Sequence, residues 1–410
     1  MSTAFRAILE GSQEVPPNDS TASGVGTFIF DSEAVTGTYS FRIEGVDYGP
    51  ATGTAPQTPQ TDDDVTSTHY HNQVRGQNGG VVFGQIAPAH DADDLSIAQN
   101  DDGSWTVSGV WEVTDPANVS IASFADTLGS AEVGTEVPLY FNVHTTEFPG
   151  GEVRGQLVAI ADDNANVVTG TAGDDFLPGL GGDDTVLGLA GNDTIEGGAG
   201  NDFLSGGQGD DMINTGTGDD VVLGGQGNDE IGGMAGRDVV RAGAGDDRIA
   251  WNDPTGDVVF GGRGNDTILG GNVAADEIHG GKGDDLIRAF ATSPEDATAS
   301  DRLFGDQGND VVIGGNAADV IDGGRGDDML AGNDGADVFI FGRHSGEDLV
   351  TDFDPSEDVA QLVGFDPDFD ALAALSAEAG GTSLDLGGGN SVLFAGRTLA
   401  EFTADQFLIG

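Results

Sequence analysis

The hydrophobic pattern of the first 160 residues is that of short strands. Apolar and polar residues alternate in several runs between clusters of Gly, Asp, Asn and Pro: GVGTFIF, GTYSFRI, SWTVSGVWEV and PLYFNVHT. A period of two predicts half-buried strands, and no segment of this region has a convincing helical period. We therefore predict an antiparallel β-sandwich or barrel over residues 1–160, joined to the rest of the chain by a polar linker over residues 161–169.

Residues 170–341 repeat nine positions, Gly-Gly-x-Gly-x-Asp-x-apolar-x. Nine units follow one another over 170–250, among them GGAGNDFLS and GGQGDDMIN, and the pattern continues around two degenerate units at 252–260 and 296–304. Fixed self-similarity at a short period predicts a solenoid. The x-apolar-x segment predicts a short strand with one inward side chain, and glycine allows the left-handed backbone of the turns. Two units then complete one coil, so odd and even units form opposite sheets.

Residues 342–410 lose this period. They contain an alanine-rich segment, DALAALSAEAGG (370–381), that predicts a helix, two strand-like runs and an apolar ending, FTADQFLIG. We predict that this region is a mostly β C-terminal cap, which makes the whole chain all-β.

The charge of the chain is strongly negative, with 71 acidic and 14 basic residues and a formal net charge of -57. Nucleic acid and anionic membranes would be repelled, so cations are the expected partners. A disordered acidic chain and adaptation to salty water are alternative explanations. The chain has no cysteine, and no apolar run approaches the roughly 18 residues of a transmembrane helix. Its first residues, MSTAFRAILEGSQEVPP, lack the pattern of an ordinary secretory signal.

The repeat offers too little apolar surface to fold alone. One small inward side chain in nine residues does not offset the conformational entropy lost on ordering them, and stacked carboxylates repel one another. We therefore expect the array to be unfolded without a cation. Calcium supplies cohesion and positive charge, since it takes about six to eight oxygen ligands from carboxylates and backbone carbonyls. A disordered linker and a phosphate-binding loop fit less well, because the units stay in register and adjacent aspartates repel phosphate.

The array resembles the calcium-binding nonapeptide repeats of RTX proteins, which form a parallel β-roll. The resemblance implies that the sixth-position aspartates are calcium ligands: Asp175, Asp184, Asp193, Asp202, Asp211, Asp220, Asp229, Asp238, Asp247, Asp266, Asp285, Asp310, Asp319, Asp328 and Asp337. The two degenerate units lack the turn glycines and are weak candidates. GGNVAADEIH and GGNAADVID depart from the pattern at the fourth position.

The segment GADVFIFGRHSGEDLVTDFDPSEDVAQLVGF (335–365) resembles the C-terminal cap that follows these repeats in secreted metalloproteases of the serralysin type. The chain has no His-Glu-x-x-His motif, so no protease domain is expected. The resemblance implies export by type I secretion machinery, directed by an uncleaved signal within residues 342–410, and an extracellular or cell-surface location. Scarce cytosolic calcium would keep the roll unfolded until it is outside.

Three histidines lie in two strand-like segments, THYHN (His69 and His71) and FNVHTTEFPGGEVRGQL (His144). His-x-His places both rings on one face of a strand, and a third histidine from a neighbouring strand can complete a copper or zinc site. The alternative is that these rings only form hydrogen bonds within the β domain. We interpret the other histidines as isolated surface or loop residues: His90, His279 and His344.

The segments LEGSQEVPP (9–17), THYHNQVRGQNGGVV (68–82) and YFNVHTTEFPGGEVRGQL (140–157) resemble the CHRD domain, first described in chordin. Bacterial members of that family occur in secreted and surface proteins, and the family has no general established activity. Glu152 and Arg154 lie on one face of the last strand, which indicates a structural salt bridge rather than a catalytic pair.

Three functions remain open from the sequence. The first is a non-enzymatic extracellular protein, a calcium-rigidified stalk or mat that can assemble into a surface layer, filament or matrix. The second is a secreted copper or zinc metalloenzyme of the redox type, with its chemistry at the three histidines. The third is an adhesin of the same architecture. We favour the first, because no nucleophile paired with a base can be identified.

Overall fold

The structure is a computed structural model that describes the chain apart from residues 1, 14–19, 49–64, 74, 76, 79–80, 85–94, 101–103, 114–118, 146, 150, 152, 234, 252–253, 272–273 and 291–298. Strands dominate the described residues, which confirms the predicted all-β class. The chain divides into two units, Met1–Val168 with Pro178–Gly182, and Thr169–Leu177 with Asp183–Gly410. His90 and the proposed salt-bridge residue Glu152 lie outside the described residues.

One antiparallel sheet forms the N-terminal unit. Its strands in the described residues are β1 (Ser2–Glu10), β2 (Ser23–Asp31), β3 (Thr36–Glu44), β4 (Val65–His71), β5 (Val81–Gly84), β6 (Ser96–Gln99), β7 (Trp105–Trp111), β8 (Glu136–Thr145) and β9 (Val153–Asp162). Their order across the sheet is β5-β4-β8-β9-β1-β2-β3-β7-β6. All four runs whose alternation predicted strands lie largely within these elements.

The sheet curls over an aromatic core. Phe83 of β5 stacks on Trp111 of β7 with ring centroids 4.8 Å apart, although six strands separate β5 from β7 in the sheet order. Tyr70 lies between them and the rest of the core, with its ring 5.4 Å from that of Phe141. Strand twist allows one continuous sheet to bend in this way. The predicted antiparallel β domain is therefore a half-barrel whose single sheet encloses the core on one face.

Among the described residues of the N-terminal unit, helical structure is confined to short segments. They are α1 (Ala125–Gly129) and two 3-10 turns, Gly11–Gln13 and Ile121–Phe124. This agrees with the lack of a helical period in the sequence. Nowhere in the described part of the chain is there a helix with the length and apolar character needed to cross a membrane.

Two largely parallel sheets form the repeat region and extend into the cap. The even-numbered sheet contains β10 (Val167–Thr169), β12 (Thr185–Ala190), β14 (Phe203–Gln208), β16 (Val221–Gln226), β18 (Val239–Ala244), β20 (Val258–Arg263), β22 (Glu277–Lys282), β24 (Arg302–Gln307), β26 (Val320–Asp322), β28 (Val338–Gly342), β30 (Val359–Val363) and β34 (Phe407–Ile409). The odd-numbered sheet contains β11 (Phe176–Pro178), β13 (Thr194–Ala199), β15 (Met212–Thr217), β17 (Glu230–Gly233), β19 (Arg248–Trp251), β21 (Thr267–Leu269), β23 (Leu286–Arg288), β25 (Val311–Ile313), β27 (Met329–Ala331), β29 (Glu347–Val350), β33 (Asn390–Ala395), β32 (Gly381–Gly387) and β31 (Leu375–Glu378). The sheets are parallel except where β31, β32 and β33 pair antiparallel.

Successive strands of one sheet come from alternate repeat units. Val186 pairs with Leu204 and Leu204 with Val222, so residues 18 positions apart stack directly upon one another. These eighth-position side chains are fully buried. Two nonapeptides therefore complete one coil, as predicted, and the apolar column inside the roll is one side chain wide on each sheet.

A cluster of aromatic rings fills the C-terminal cap. Phe353 lies 4.7 Å from Phe394, and Phe402 lies 5.9 Å from Phe407, measured between ring centroids. Two 3-10 turns, Leu399–Glu401 and Ala404–Gln406, precede β34. The apolar ending FTADQFLIG thus packs on the roll with β34 as the last strand of the even-numbered sheet.

The helix predicted over residues 370–381 is wrong. Leu375 to Glu378 form β31, which pairs antiparallel with β32 in the register Leu375 to Leu384. Alanine favours a helix by only a fraction of a kcal/mol per residue, and tertiary pairing overrides such a preference. The segment extends the odd-numbered sheet instead.

Candidate metal centres

Buried aspartates form two rows along the roll, one beside each sheet, and every member is at most 5% exposed. The first Asp row, beside the odd-numbered strands, contains Asp175, Asp193, Asp211, Asp229, Asp247, Asp266, Asp285, Asp310, Asp328 and Asp348. The second Asp row, beside the even-numbered strands, contains Asp184, Asp202, Asp220, Asp238, Asp257, Asp276, Asp301, Asp319, Asp337 and Asp358. Every aspartate that the repeat predicted lies in one of these rows.

From the second member of each row onward, one carboxylate oxygen of the aspartate accepts a hydrogen bond from the neighbouring coil. The backbone N–H of Asp193 donates to Oδ1 of Asp211 at 2.8 Å, and that of Asp211 donates to Oδ1 of Asp229 at 2.9 Å. The same bond runs along the second Asp row, for example from Asp202 to Asp220 at 2.7 Å. A buried N–H needs an acceptor, so the sixth-position aspartate satisfies the backbone of the previous coil.

The other carboxylate oxygen, Oδ2, is the one available to a cation. It is buried without a hydrogen-bond partner among the described residues in Asp193, Asp202, Asp211, Asp220, Asp229, Asp247, Asp266, Asp285, Asp310, Asp328 and Asp337. A Cβ added to Gly206 would overlap Oδ2 of Asp211 and lie 2.7 Å from the carbonyl oxygen of Gly224 in the next coil. Carboxylate and carbonyl oxygens of adjacent coils thus converge on one space. This donor set fits calcium.

The buried carboxylates carry charge at a high cost when no cation is bound. Burial raises the pKa of Asp220 to about 7 and that of Asp310 to about 8. Backbone hydrogen bonds lower both values in part, whereas neighbouring aspartates of the same row raise them further. A cation that neutralises these carboxylates therefore stabilises the stacked coils.

Five members of the rows were not among the predicted ligands: Asp257, Asp276, Asp301, Asp348 and Asp358. Asp257 and Asp301 belong to the degenerate units, yet each accepts the backbone N–H of the previous coil at 2.8 Å. These two units keep the aspartate at the sixth position and the apolar residue at the eighth, although they lack the turn glycines. Asp348 and Asp358 follow interruptions of the period, so only their stacking in the cap reveals them.

A further set of side chains stacks at the fifth position of the repeat, which the sequence analysis did not single out. Oδ1 of Asp210 accepts the backbone N–H of Asn228 at 2.7 Å, and Oδ1 of Asn192 accepts that of Asp210 at 2.9 Å. Asp and Asn both supply this oxygen, which explains why both occur there. The preference for Asp or Asn at the fifth position is the sequence signal that could have predicted this set.

The N-terminal unit brings together the three histidines that the sequence pattern selected. His69 and His71 project from one face of β4, and His144 belongs to the adjacent strand β8. The ring centroid of His69 lies 4.6 Å from those of His71 and His144. One ligand atom from each ring lies within 4.8 Å of the others. The geometry expected for a three-histidine cluster is therefore present.

Burial favours the neutral form of His69 and His144. His69 and His71 are 5% and 9% exposed. Burial, followed by the proximity of the other two rings, lowers the pKa of His69 to about 3. Nδ1 of His144 lies 3.0 Å from the carbonyl oxygen of Pro149, and burial also lowers the pKa of His144. Neutral imidazole is the form that binds a transition metal.

The remaining histidines differ from one another. His344 is exposed, as expected. His279 is not isolated: its ring stacks between those of Phe260 and Phe304 at 5.0 and 4.5 Å, and its Nδ1 lies 3.1 Å from Asp306. The interpretation of His279 as an isolated residue is therefore wrong. The one-coil stacking distance brings ninth-position side chains of successive coils face to face.

Arg154 contacts an aromatic ring of β8, and its proposed partner Glu152 lies outside the described residues. Its guanidinium lies 3.4 Å above the centre of the Tyr140 ring. Tyr140 in turn stacks on His71, with centroids 4.8 Å apart and planes 2° from parallel. Because β8 lies between β4 and β9, Tyr140 is flanked by the histidine on one side and the arginine on the other.

Comparisons with known proteins agree with this division of the chain. Residues 5–157 match the CHRD domain. The RTX calcium-binding nonapeptide repeat matches residues 160–195, 187–222, 196–231, 223–250, 252–287, 298–330 and 313–343. No curated protein is similar to the chain in sequence.

Two solved structures resemble parts of the chain. An extracellular lipase, LipA, from Serratia marcescens is 20% identical with a TM-score of 0.28, and the match covers 61% of this chain and 39% of the lipase. The chain thus matches about two fifths of the lipase's length. A repeat subunit of the mannuronan C5-epimerase from Azotobacter vinelandii is 25% identical with a TM-score of 0.15, over 33% of this chain and 78% of the subunit.

The half-barrel coincides with the CHRD match, and the row aspartates lie within the matches to the RTX repeat except for Asp348 and Asp358. No protease domain accompanies them in these matches. The chain therefore contains a CHRD domain followed by a parallel β-solenoid of RTX calcium-binding nonapeptide repeats.

Proposed function

We propose that this protein is a non-enzymatic, extracellular structural or surface protein whose roll folds on calcium after export. The observation that carries the proposal is the series of buried, unpaired Oδ2 atoms in the two Asp rows. Row aspartates and the glycine carbonyls beside them would hold the ions, and calcium would supply the positive charge that stacked carboxylates lack. Metal binding to a site that exists only in the folded state is folding free energy.

Export fits this dependence on calcium. A roll that is unfolded where calcium is scarce can pass through type I secretion machinery as an extended chain. Outside the cell, calcium at millimolar concentration would shift the equilibrium to the folded coils by mass action. The location and the export route are parts of the proposal and rest on the RTX repeats.

A calcium titration of the full chain tests the folding step. We expect far-UV circular dichroism of metal-stripped protein at pH 8 to gain β signal with a midpoint of about 0.1–1 mM calcium, the range of extracellular modules. Magnesium at the same concentration should not replace it, because it demands a stricter octahedron and retains more water. Identical spectra with calcium and with a chelator would overturn the proposal.

Self-assembly is a separate part of the proposal, supported by an apolar strip on the even-numbered sheet. Phe203 and Val221 pair across adjacent strands and are each 37% exposed. A second copy of the roll would cover this strip.

We expect light scattering of the calcium-loaded chain to show particles larger than a monomer, and the double variant Phe203→Glu, Val221→Glu to disperse them. Met329→Glu on the opposite sheet is the control. Monomers throughout would contradict assembly but not calcium-dependent folding.

A metalloenzyme is the second candidate, and the histidine cluster is the observation that favours it. The three rings meet in the N-terminal unit, in a different unit of the chain from the Asp rows. This candidate requires first of all that the cluster binds a metal, which can be measured without knowing any reaction.

A further inference from the structure

The three histidines of the N-terminal unit have the features of a metal site distinct from the calcium rows. His69 and His71 alternate along β4, and His69 pairs across the sheet with Asn142, two residues before His144. All three imidazoles therefore project from one face of the sheet. The residues between them, Tyr70 and Val143, point to the other face and belong to the aromatic core. Two strands of a rigid sheet thus fix the cluster.

The nitrogen that His144 offers can be read from its hydrogen bond. Nδ1 of His144 lies 3.0 Å from the carbonyl oxygen of Pro149, which can only accept, so Nδ1 carries the proton. Nε2 of His144 then holds a lone pair. This atom is buried without a hydrogen-bond partner among the described residues, and so is Nδ1 of His69. Leaving two such atoms buried and unpaired costs about 1–3 kcal/mol each.

We propose that His69, His71 and His144 bind one divalent transition-metal cation, Zn²⁺ or Cu²⁺, in a three-histidine centre. A metal at about 2.1 Å from each nitrogen requires ligand atoms no more than about 4.2 Å apart. The ligand atoms now lie within 4.8 Å of one another, so small rotations of the rings would bring them to this separation. The ion would bind the buried ring nitrogens of His69 and His144 that have no hydrogen-bond partner among the described residues.

The chemistry of the ligands separates this centre from the Asp rows. Imidazole nitrogen favours zinc and copper, whereas calcium and magnesium favour carboxylate and carbonyl oxygen. The Pro149 carbonyl on Nδ1 of His144 is the kind of outer contact that fixes the orientation of a metal-binding histidine. Tyr140, held by Arg154, restrains the ring plane of His71 in the same way. These three residues are positioning residues.

Three histidines leave a coordination position for a further ligand. Zinc sites with three protein ligands keep a fourth position for water or substrate. Within the described part of the chain, no carboxylate or fourth histidine joins the cluster. The site therefore has the donor number of a reactive or ligand-exchanging metal centre, and this chain's histidines are its protein ligands.

Metal retention by the full chain tests the proposal. The calcium-saturated protein, in which calcium occupies the oxygen sites, is exposed separately to Zn²⁺ and to Cu²⁺, desalted into calcium buffer and analysed for metal content. We expect about one zinc or copper per chain. His69→Asn and His144→Asn should each reduce this content by about tenfold or more. His344→Asn, which removes an exposed histidine from the cap, should leave it unchanged.

Two measurements keep the outcome interpretable. Near-UV circular dichroism shows whether each variant keeps the packing of Trp105 and Trp111 in the half-barrel. Electron paramagnetic resonance of the copper-loaded, unsubstituted protein should show hyperfine coupling to imidazole nitrogen. This measurement does not depend on whether a variant folds. An unmetallated folded protein, equal retention by the histidine variants, or a copper signal with oxygen ligands alone would overturn the proposal. None of these results would alter the calcium titration.

Discussion

At the scale of single residues, glycine is fixed where two coils touch. Gly209, at the fourth position of its unit, has a φ of 118°, and a Cβ there would overlap the carbonyl oxygen of Gly191 in the preceding coil. Gly173 occupies the same position in the first unit, but no atom lies within 4 Å of a Cβ added to it. The same residue at the same repeat position is therefore required in one coil and replaceable in another.

We expect Gly209→Ala to destabilise the calcium-loaded roll by about 2 kcal/mol or more, because it combines left-handed strain with a backbone clash. Gly173→Ala should change stability by no more than about 0.5 kcal/mol, as for an ordinary surface substitution. Thermal unfolding in saturating calcium measures both. Equal losses in the two variants would contradict the role assigned to coil contact.

At the scale of one coil, adjacent acidic positions have different tasks. Asp211 is buried; its Oδ1 accepts the backbone N–H of Asp193, and its Oδ2 is left for a cation. Asp210 is exposed, and its Oδ1 accepts the backbone N–H of Asn228. Other units carry Asn at the position of Asp210, and its side-chain oxygen makes the same bond. The carboxylate charge is therefore needed at the sixth position and dispensable at the fifth.

We expect Asp211→Asn to reduce calcium-dependent stability by about 2 kcal/mol, the order of a lost charge-assisted contact. Asp210→Asn removes the same formal charge but keeps its hydrogen bond, so its effect should be much smaller. Calcium titrations of the two variants by circular dichroism give the comparison. If both midpoints moved equally, general electrostatics rather than site chemistry would explain the roll.

At the scale of the whole molecule, the rows concentrate negative charge that the chain cannot balance internally. The pKa of Asp301 is raised to about 8 and that of Asp247 to about 7, in both cases chiefly by burial. For an acid whose pKa is higher in the folded state, the folded state binds more protons between the two values. Stability from these groups is therefore full below the unfolded pKa, near 3.8, and is lost as the pH rises through about 8.

We expect protonation of the row carboxylates to supply part of the stabilisation that calcium otherwise provides. Metal-stripped protein should lack the β signal of the roll at pH 8 and regain much of it at pH 5.5, because most row carboxylates are then protonated when folded. Measuring at pH 5.5 also avoids the low solubility expected near the sequence pI of about 4.1. Far-UV circular dichroism against pH checks this. A β signal that fell on acidification would contradict the assignment of the raised pKa values.

Much of the roll follows from the sequence alone. The period determined the coil, the inward column represented by Leu204 and the rows of sixth-position aspartates such as Asp211, because each coil contacts only its neighbours. The pattern His-x-His in β4 likewise placed His69 and His71 on one face. Such inferences succeed where the decisive contacts repeat a local rule.

Only the tertiary structure decided the remaining features. The curl that brings Phe83 onto Trp111 depends on the order of strands distant in the chain, which local alternation does not encode. Asp348 and Asp358 join the rows because the cap stacks on the last coils after the period has ended. The predicted helix became β31 because pairing with β32 outweighed a weak local propensity. In each case long-range backbone pairing settled what the residues nearby left open.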